Sequence, residues 1–120
     1  MIDLTKIRRI IDIEYHDILA SSGTDIYHDK IRAYILDGSV VDIWFSKKIP
    51  GRFSYHWERR HIDGKLYRHD NFPDPHWKKV STFPKHFHNG SQSQVQESSI
   101  DDDPTSGVRE FMAFVRIMLR

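Results

Sequence analysis

Two histidines one residue apart, His86 and His88, are the side chains in this sequence whose types and spacing best suit chemistry. They sit in Phe83-Pro84-Lys85-His86-Phe87-His88-Asn89-Gly90-Ser91. In extended backbone alternate residues share a side, so both imidazoles point one way and Phe87 points the other, toward a core. An unperturbed imidazole titrates near neutral pH, which lets such a pair act as general acid and base. The same pair can hold a divalent metal if a third ligand such as Asp70, His69 or His76 converges on it. Surface histidines bonded to backbone are the ordinary alternative.

A second group comprises Arg59, Arg60, Arg68 and Asp70. A two-residue hairpin loop at Asp63-Gly64 would set Arg59 opposite Arg68 and Trp57 opposite Asp70; a three-residue loop would set Arg60 opposite Arg68 and Glu58 opposite Asp70. Like charges directly opposite repel, so either register makes more sense with an anion between the arginines. A simple Arg-Asp surface ion pair is the modest alternative.

Charge and aromatic placement point the same way. The net charge is only +1, yet between Lys47 and His88 ten Lys/Arg stand against four Asp/Glu, and the segment holds six of the eight histidines and eight of the fifteen aromatics. A basic strip interleaved with π-faces is what an RNA partner would select; a solvated sheet face is the competing explanation. There is no cysteine, which excludes disulfides, thiolate zinc sites and a cysteine nucleophile, and suits a reducing compartment. The first residues show no charged segment followed by an apolar run, and the longest apolar stretch is Phe111 to Val115. A cytoplasmic protein with neither signal peptide nor membrane span is therefore expected.

These groups need a frame to position them. Leu4, Ile7, Ile11, Tyr15, Ile18 and Leu19 form one helical stripe, which predicts a helix over about 3–20 with Asp3 as N-cap and Gly23 as stop. The period then changes. Lys30 to Leu36 and Val40 to Phe45 are β-branched and aromatic runs joined at Asp37-Gly38, followed across Pro50-Gly51 by Phe53 to His61 and, after Asp63-Gly64, by Leu66 to Asp70. That is a four-stranded antiparallel meander over about 28–70, with residues 92–98 as a fifth, edge strand. Asp103 as N-cap and Pro104 at the first helical position open a second helix over about 104–119, buried through Val108, Phe111, Met112 and Val115. The expectation is one α+β domain spanning 1–120: a four- to five-stranded antiparallel meander sheet flanked by an N-terminal and a C-terminal helix, both on one face.

The ordered segments Tyr55-His56-Trp57-Glu58, Asp63 to Asn71, Thr82-Phe83-Pro84-Lys85-His86-Phe87-His88, Gly90-Ser91 and Val95 to Ser98 resemble the TumE family of toxins from toxin-antitoxin modules, over about residues 30–98. One departure lies in Asp70-Asn71-Phe72-Pro73-Asp74-Pro75-His76: the family pattern sets a Pro-His pair one residue after the Asn, and here His76 is reached only across two additional residues. The resemblance implies a growth inhibitor neutralised by an antitoxin protein. It assigns no mechanism.

Taken with the residues themselves, the leading expectation is a metal-independent endoribonuclease that needs no cofactor. His86 and His88 would be acid and base, with Asp70 orienting a histidine. Arg68 with Arg59 or Arg60 would clamp the phosphate, Tyr55, Trp57 or Trp77 would stack a base, and Asn71 and Lys85 would line the substrate. The competing expectations are a non-catalytic module whose basic face docks protein or RNA, and a metal-dependent hydrolase or nuclease built on His86, His88 and Asp70.

Overall fold

The computed structural model describes residues 2–119. Its centre is one antiparallel sheet of seven strands in sequential order: β1 (Leu19–Asp25), β2 (Lys30–Ile35), β3 (Val40–Phe45), β4 (Phe53–Arg59), β5 (Lys65–Asp70), β6 (His86–Gly90) and β7 (Val95–Glu97). The α+β class and the central meander match expectation, but the sheet has three strands more than the four-stranded meander, and two more than the five-stranded alternative.

The N-terminal helix, α1 (Leu4–Glu14), is capped by the Asp3 carboxylate accepting from the Lys6 N–H. It ends earlier than the predicted residue 20. A 3-10 turn over His16–Ile18 follows, and Leu19–Asp25 pairs with β2, with Gly23 opposite Arg32 instead of stopping a helix. The stripe misled because the 3-10 turn keeps Tyr15 and Ile18 buried in the helix's own direction. Beyond it, Ser21, Ser22 and Thr24 are weak helix formers that gain more as an edge strand.

The second divergence is the β4–β5 connection. Arg60–Asp63 forms one turn of helix, α2, closed by Gly64 at φ 77°, a left-handed C-cap for which glycine is the favoured residue. The strands therefore pair Arg59 with Lys65, Trp57 with Tyr67, His56 with Arg68 and Ser54 with Asp70. Neither Arg59 nor Arg60 faces Arg68, and neither Trp57 nor Glu58 faces Asp70.

The pleat sorts side chains onto two faces. One face carries Ile31, Ala33, Val41, Ile43, Tyr55, Trp57, Tyr67 and Phe87 against Ile7 and Ile11 of α1 and Val108, Phe111, Met112 and Val115 of α3 (Pro104–Met118). The C-terminal helix starts as predicted, with Asp103 accepting from the Ser106 N–H and Pro104 in its first turn. Gly107 lets it approach: a Cβ there would stand 2.7 Å from the Asp101 carbonyl oxygen and 3.3 Å from Tyr55. Both helices thus cover one face and leave the other for polar groups.

Candidate functional site

On the face away from the helices, the strand register writes two parallel rows. Trp44, Ser54, Asp70 and His86 are successive partners across β3 to β6, and Asp42, His56, Arg68 and His88 form the adjacent row. Residues 71–85 fold back over the β5–β6 end of these rows. Trp77, from a 3-10 turn at Pro75–Trp77, lies edge-on to His88 at 5.9 Å between ring centroids and tilted to His86 at 6.3 Å. The result is a concavity of about 790 Å³ whose lining includes His56, Arg68, Asp70, Trp77, His86 and His88.

The two imidazoles are arranged alike. His86 donates through Nδ1 to the Pro84 carbonyl at 2.8 Å, and His88 through Nδ1 to the Gln92 carbonyl at 2.9 Å. Each Nε2 therefore turns inward to Asp70: His86 Nε2 lies 3.2 Å from Oδ1 and His88 Nε2 lies 3.8 Å from Oδ2. Asp70 is held by the Phe72 N–H on Oδ1 and by Arg68 Nε on Oδ2, at 3.0 and 2.9 Å. All three residues are buried, at 4% exposure for Asp70, 2% for His86 and 1% for His88.

Arg68 connects the rows. Its Nη2 donates to His88 Nε2 at 3.1 Å and to Gln92 Oε1 at 2.9 Å, and its Nη1 reaches His56 Nδ1 at 3.4 Å. Because a carboxylate only accepts, His56 donates through Nε2 to Glu58 at 3.1 Å, which leaves Nδ1 to receive Arg68. Burial first, and then the neighbouring Arg68 charge, push the His88 pKa below its ordinary value. Burial also lowers His56, partly offset by Glu58. With its Nδ1 proton committed to Gln92 and its Nε2 lone pair facing inward, neutral His88 has the form of a base.

The other expected site residues divide. Trp77 joins the concavity, whereas Tyr55 and Trp57, each 1% exposed, lie in the core on the opposite face and cannot stack a base there. Their alternation with His56 reverses the expected assignment: the polar partner faces the site and the aromatics face the helices. Arg59 pairs with Asp37 and Asp63 and rests over the Trp57 ring, while Arg60 pairs with Glu58. Asn71 ties loops together, donating to the Gly51 carbonyl and accepting from the Phe53 N–H. Lys85 donates to the Ile100 carbonyl and Asp102. His69, one of the possible third ligands, is on the core face, stacked on Phe87 at 4.1 Å and hydrogen-bonded to Ser98. His76 is exposed and paired with Asp74.

His56 and Gln92 are functional candidates that the sequence reading missed. His56 becomes visible only once α2 sets the register opposite Arg68, and Gln92 sits in the irregular β6–β7 connection. The basic strip is also less free than its composition implied, since Arg59, Arg60, Arg68 and Lys85 all have carboxylate partners.

Asp70, His86 and His88 also present three ligand atoms within 4.8 Å of one another, a group that could hold a metal ion. Anchoring of each Nδ1 on a backbone carbonyl is the support that ligating histidines commonly have. Against this, Arg68 already donates to the His88 lone pair and to Asp70, so a cation would have to displace the guanidinium.

A family model described as Toxin TumE matches residues 4–119, nearly the whole chain. No curated protein and no solved structure matches. Among the described residues no helix is long and apolar enough to cross a membrane.

Proposed function

The chain belongs to the TumE toxin family, the toxin side of a toxin-antitoxin module, and from that premise we propose that it acts in the cytoplasm by cleaving RNA, without a metal, at the concavity around Arg68. The observation that carries this reading is the convergence of Arg68, Asp70, His86 and His88 in one cavity, with each histidine's Nδ1 bound to backbone and its Nε2 directed inward. An antitoxin protein is the cognate partner.

Cleavage by the 2′-hydroxyl needs one group to remove its proton, one to protonate the leaving oxygen, and cationic donors for the phosphorane. In the free protein the lone pair of His88 is occupied by Arg68. A phosphate competing for Nη2 draws the guanidinium away and releases that lone pair to take the 2′-hydroxyl proton. The 2′-oxygen then bonds to phosphorus as the P–O5′ bond breaks, leaving a 2′,3′-cyclic phosphate. His86 supplies the proton to the departing 5′-oxygen. With Nδ1 donating to Pro84, its Nε2 carries a proton only as imidazolium, and that is the form that can donate to Asp70 while it waits.

The test is induction of this chain alone, then with Arg68, Asp70, His86 and His88 substituted singly, reading growth and the 2′,3′-cyclic ends of cellular RNA. Growth arrest and cyclic ends that depend on the histidines support the reading. A His86→Ala, His88→Ala double variant that remains fully toxic while Arg68→Ala does not overturns catalysis by the pair in favour of inhibition by binding.

One observation favours a second reading. The close approach of Asp70 and the two histidines suits a metal-dependent hydrolase or nuclease better than it suits two groups standing on opposite sides of one phosphorus. Cleavage that stops in chelator and returns with one divalent ion would establish it.

A further inference from the structure

We propose that Trp44 and Phe72 form a base-stacking platform that seats one base of single-stranded RNA beside the Arg68 phosphate site; this rests on the RNA reading above. The two rings stack at 5.6 Å between centroids and 15° between planes. They lie on the sheet face turned away from both helices and line the same concavity as the histidines, outside the buried hydrophobic cluster. Phe72 is 41% exposed, so part of its ring is open to a ligand, and its backbone N–H is bonded to Asp70.

Register places the platform relative to the chemistry. Trp44 shares a row with Ser54, Asp70 and His86, so it stands two strands from Asp70, about 10 Å at the usual spacing. That is within the span of a short single-stranded segment. Phe72, two residues beyond Asp70, closes the gap from the same side.

Charge complementarity identifies the occupant as a polyanion with π-faces. Half of the ten cations of the basic strip are neutralised internally, and Lys48, Arg52, Lys65, Lys78 and Lys79 have no ion-pair partner among the described residues. The Arg52 guanidinium lies 5.0 Å from the Phe72 centroid, and Lys78 and Lys79 directly follow Trp77 in the chain and are exposed. One unpaired cation, Arg52, therefore lies at the platform itself, and two more adjoin Trp77, another aromatic of the concavity. A duplex buries its base faces in its own stack, so only an unpaired strand offers both the phosphate and the ring such a surface takes.

The experiment measures binding of an uncleavable, 2′-O-methylated single-stranded RNA of about eight nucleotides by fluorescence anisotropy. Phe72→Ala should weaken binding roughly 5- to 100-fold, while Phe72→Tyr binds as the parent does. Removing one base at a time from the oligonucleotide, backbone intact, should reveal one position whose loss weakens the parent protein by a similar factor and Phe72→Ala no further. If Phe72→Ala and every abasic strand bind normally while Arg68→Ala binds poorly, the platform is wrong and the RNA reading stands. If the parent protein binds no RNA even at low salt, both fall. The abasic series uses the unaltered protein, so the outcome does not depend on a variant folding.

Discussion

Arg68 donates to the Nε2 of His88 at 3.1 Å, so in the free protein the candidate base is occupied by the candidate phosphate clamp. The two are cross-strand partners on β5 and β6, and Gln92 receives a bond from each. In the proposed mechanism Arg68 would both bind substrate and control when the base is free.

Replacing His86 or His88 by alanine should lower cleavage on the order of 100-fold or more. The fold is not untouched by these substitutions, because both rings are buried and each satisfies a backbone carbonyl. Loss of that donor should cost about 1–3 kcal/mol of stability. His88→Asn, whose amide can reproduce the Nδ1 donor, should recover much of the stability and none of the activity. Urea unfolding beside cleavage assays checks this, and full activity in His88→Asn would remove the ring from the mechanism.

Arg68→Ala should weaken RNA binding and reduce the slope of log affinity against log salt by about 1, the signature of one lost phosphate contact. The Arg68 charge is also the second cause, after burial, of the lowered His88 pKa. The acidic limb of kcat/KM should therefore lie below the ordinary imidazole range in the parent and move to higher pH in Arg68→Ala. An unchanged limb would mean that a different group is being titrated.

Burial, with Lys85 next, lowers His69 to a pKa of about 3. An unfolded histidine takes its proton near pH 6.5, so between there and about 3 the unfolded state binds more protons and stability must fall as pH falls. Urea midpoints from pH 7 to 4 should show this decline. His69→Phe, which keeps a ring against Phe87, should make it shallower; an equal slope in the variant would assign the effect to other groups.

Cleavage by protein purified without an affinity tag should persist in chelator, and metal analysis should find no stoichiometric transition metal. Stoichiometric zinc, manganese or iron that disappears in His86→Ala would instead establish the Asp70, His86 and His88 group as a metal centre.

Residue alternation and capping are local, and the sequence was sufficient for them. The period-2 pattern alone put His86 with His88 on one side and Phe87 on the other, and the Asp103-Pro104 start of α3 was legible from residue type. The ordered motifs are enough by themselves to point to the TumE family, whose model matches residues 4–119. Tertiary structure decided which residues on neighbouring strands meet. Register depends on the length and shape of a turn, and the helical turn at Arg60–Asp63 replaced both arginine pairings with His56 opposite Arg68. Burial of the histidines depends on residues 71–85 folding over the sheet, and the Trp44–Phe72 stack on a contact between residues 28 positions apart in sequence. Neither carries a local signal, because the free energy that fixes each comes from long-range packing and not from the propensity of the residues concerned.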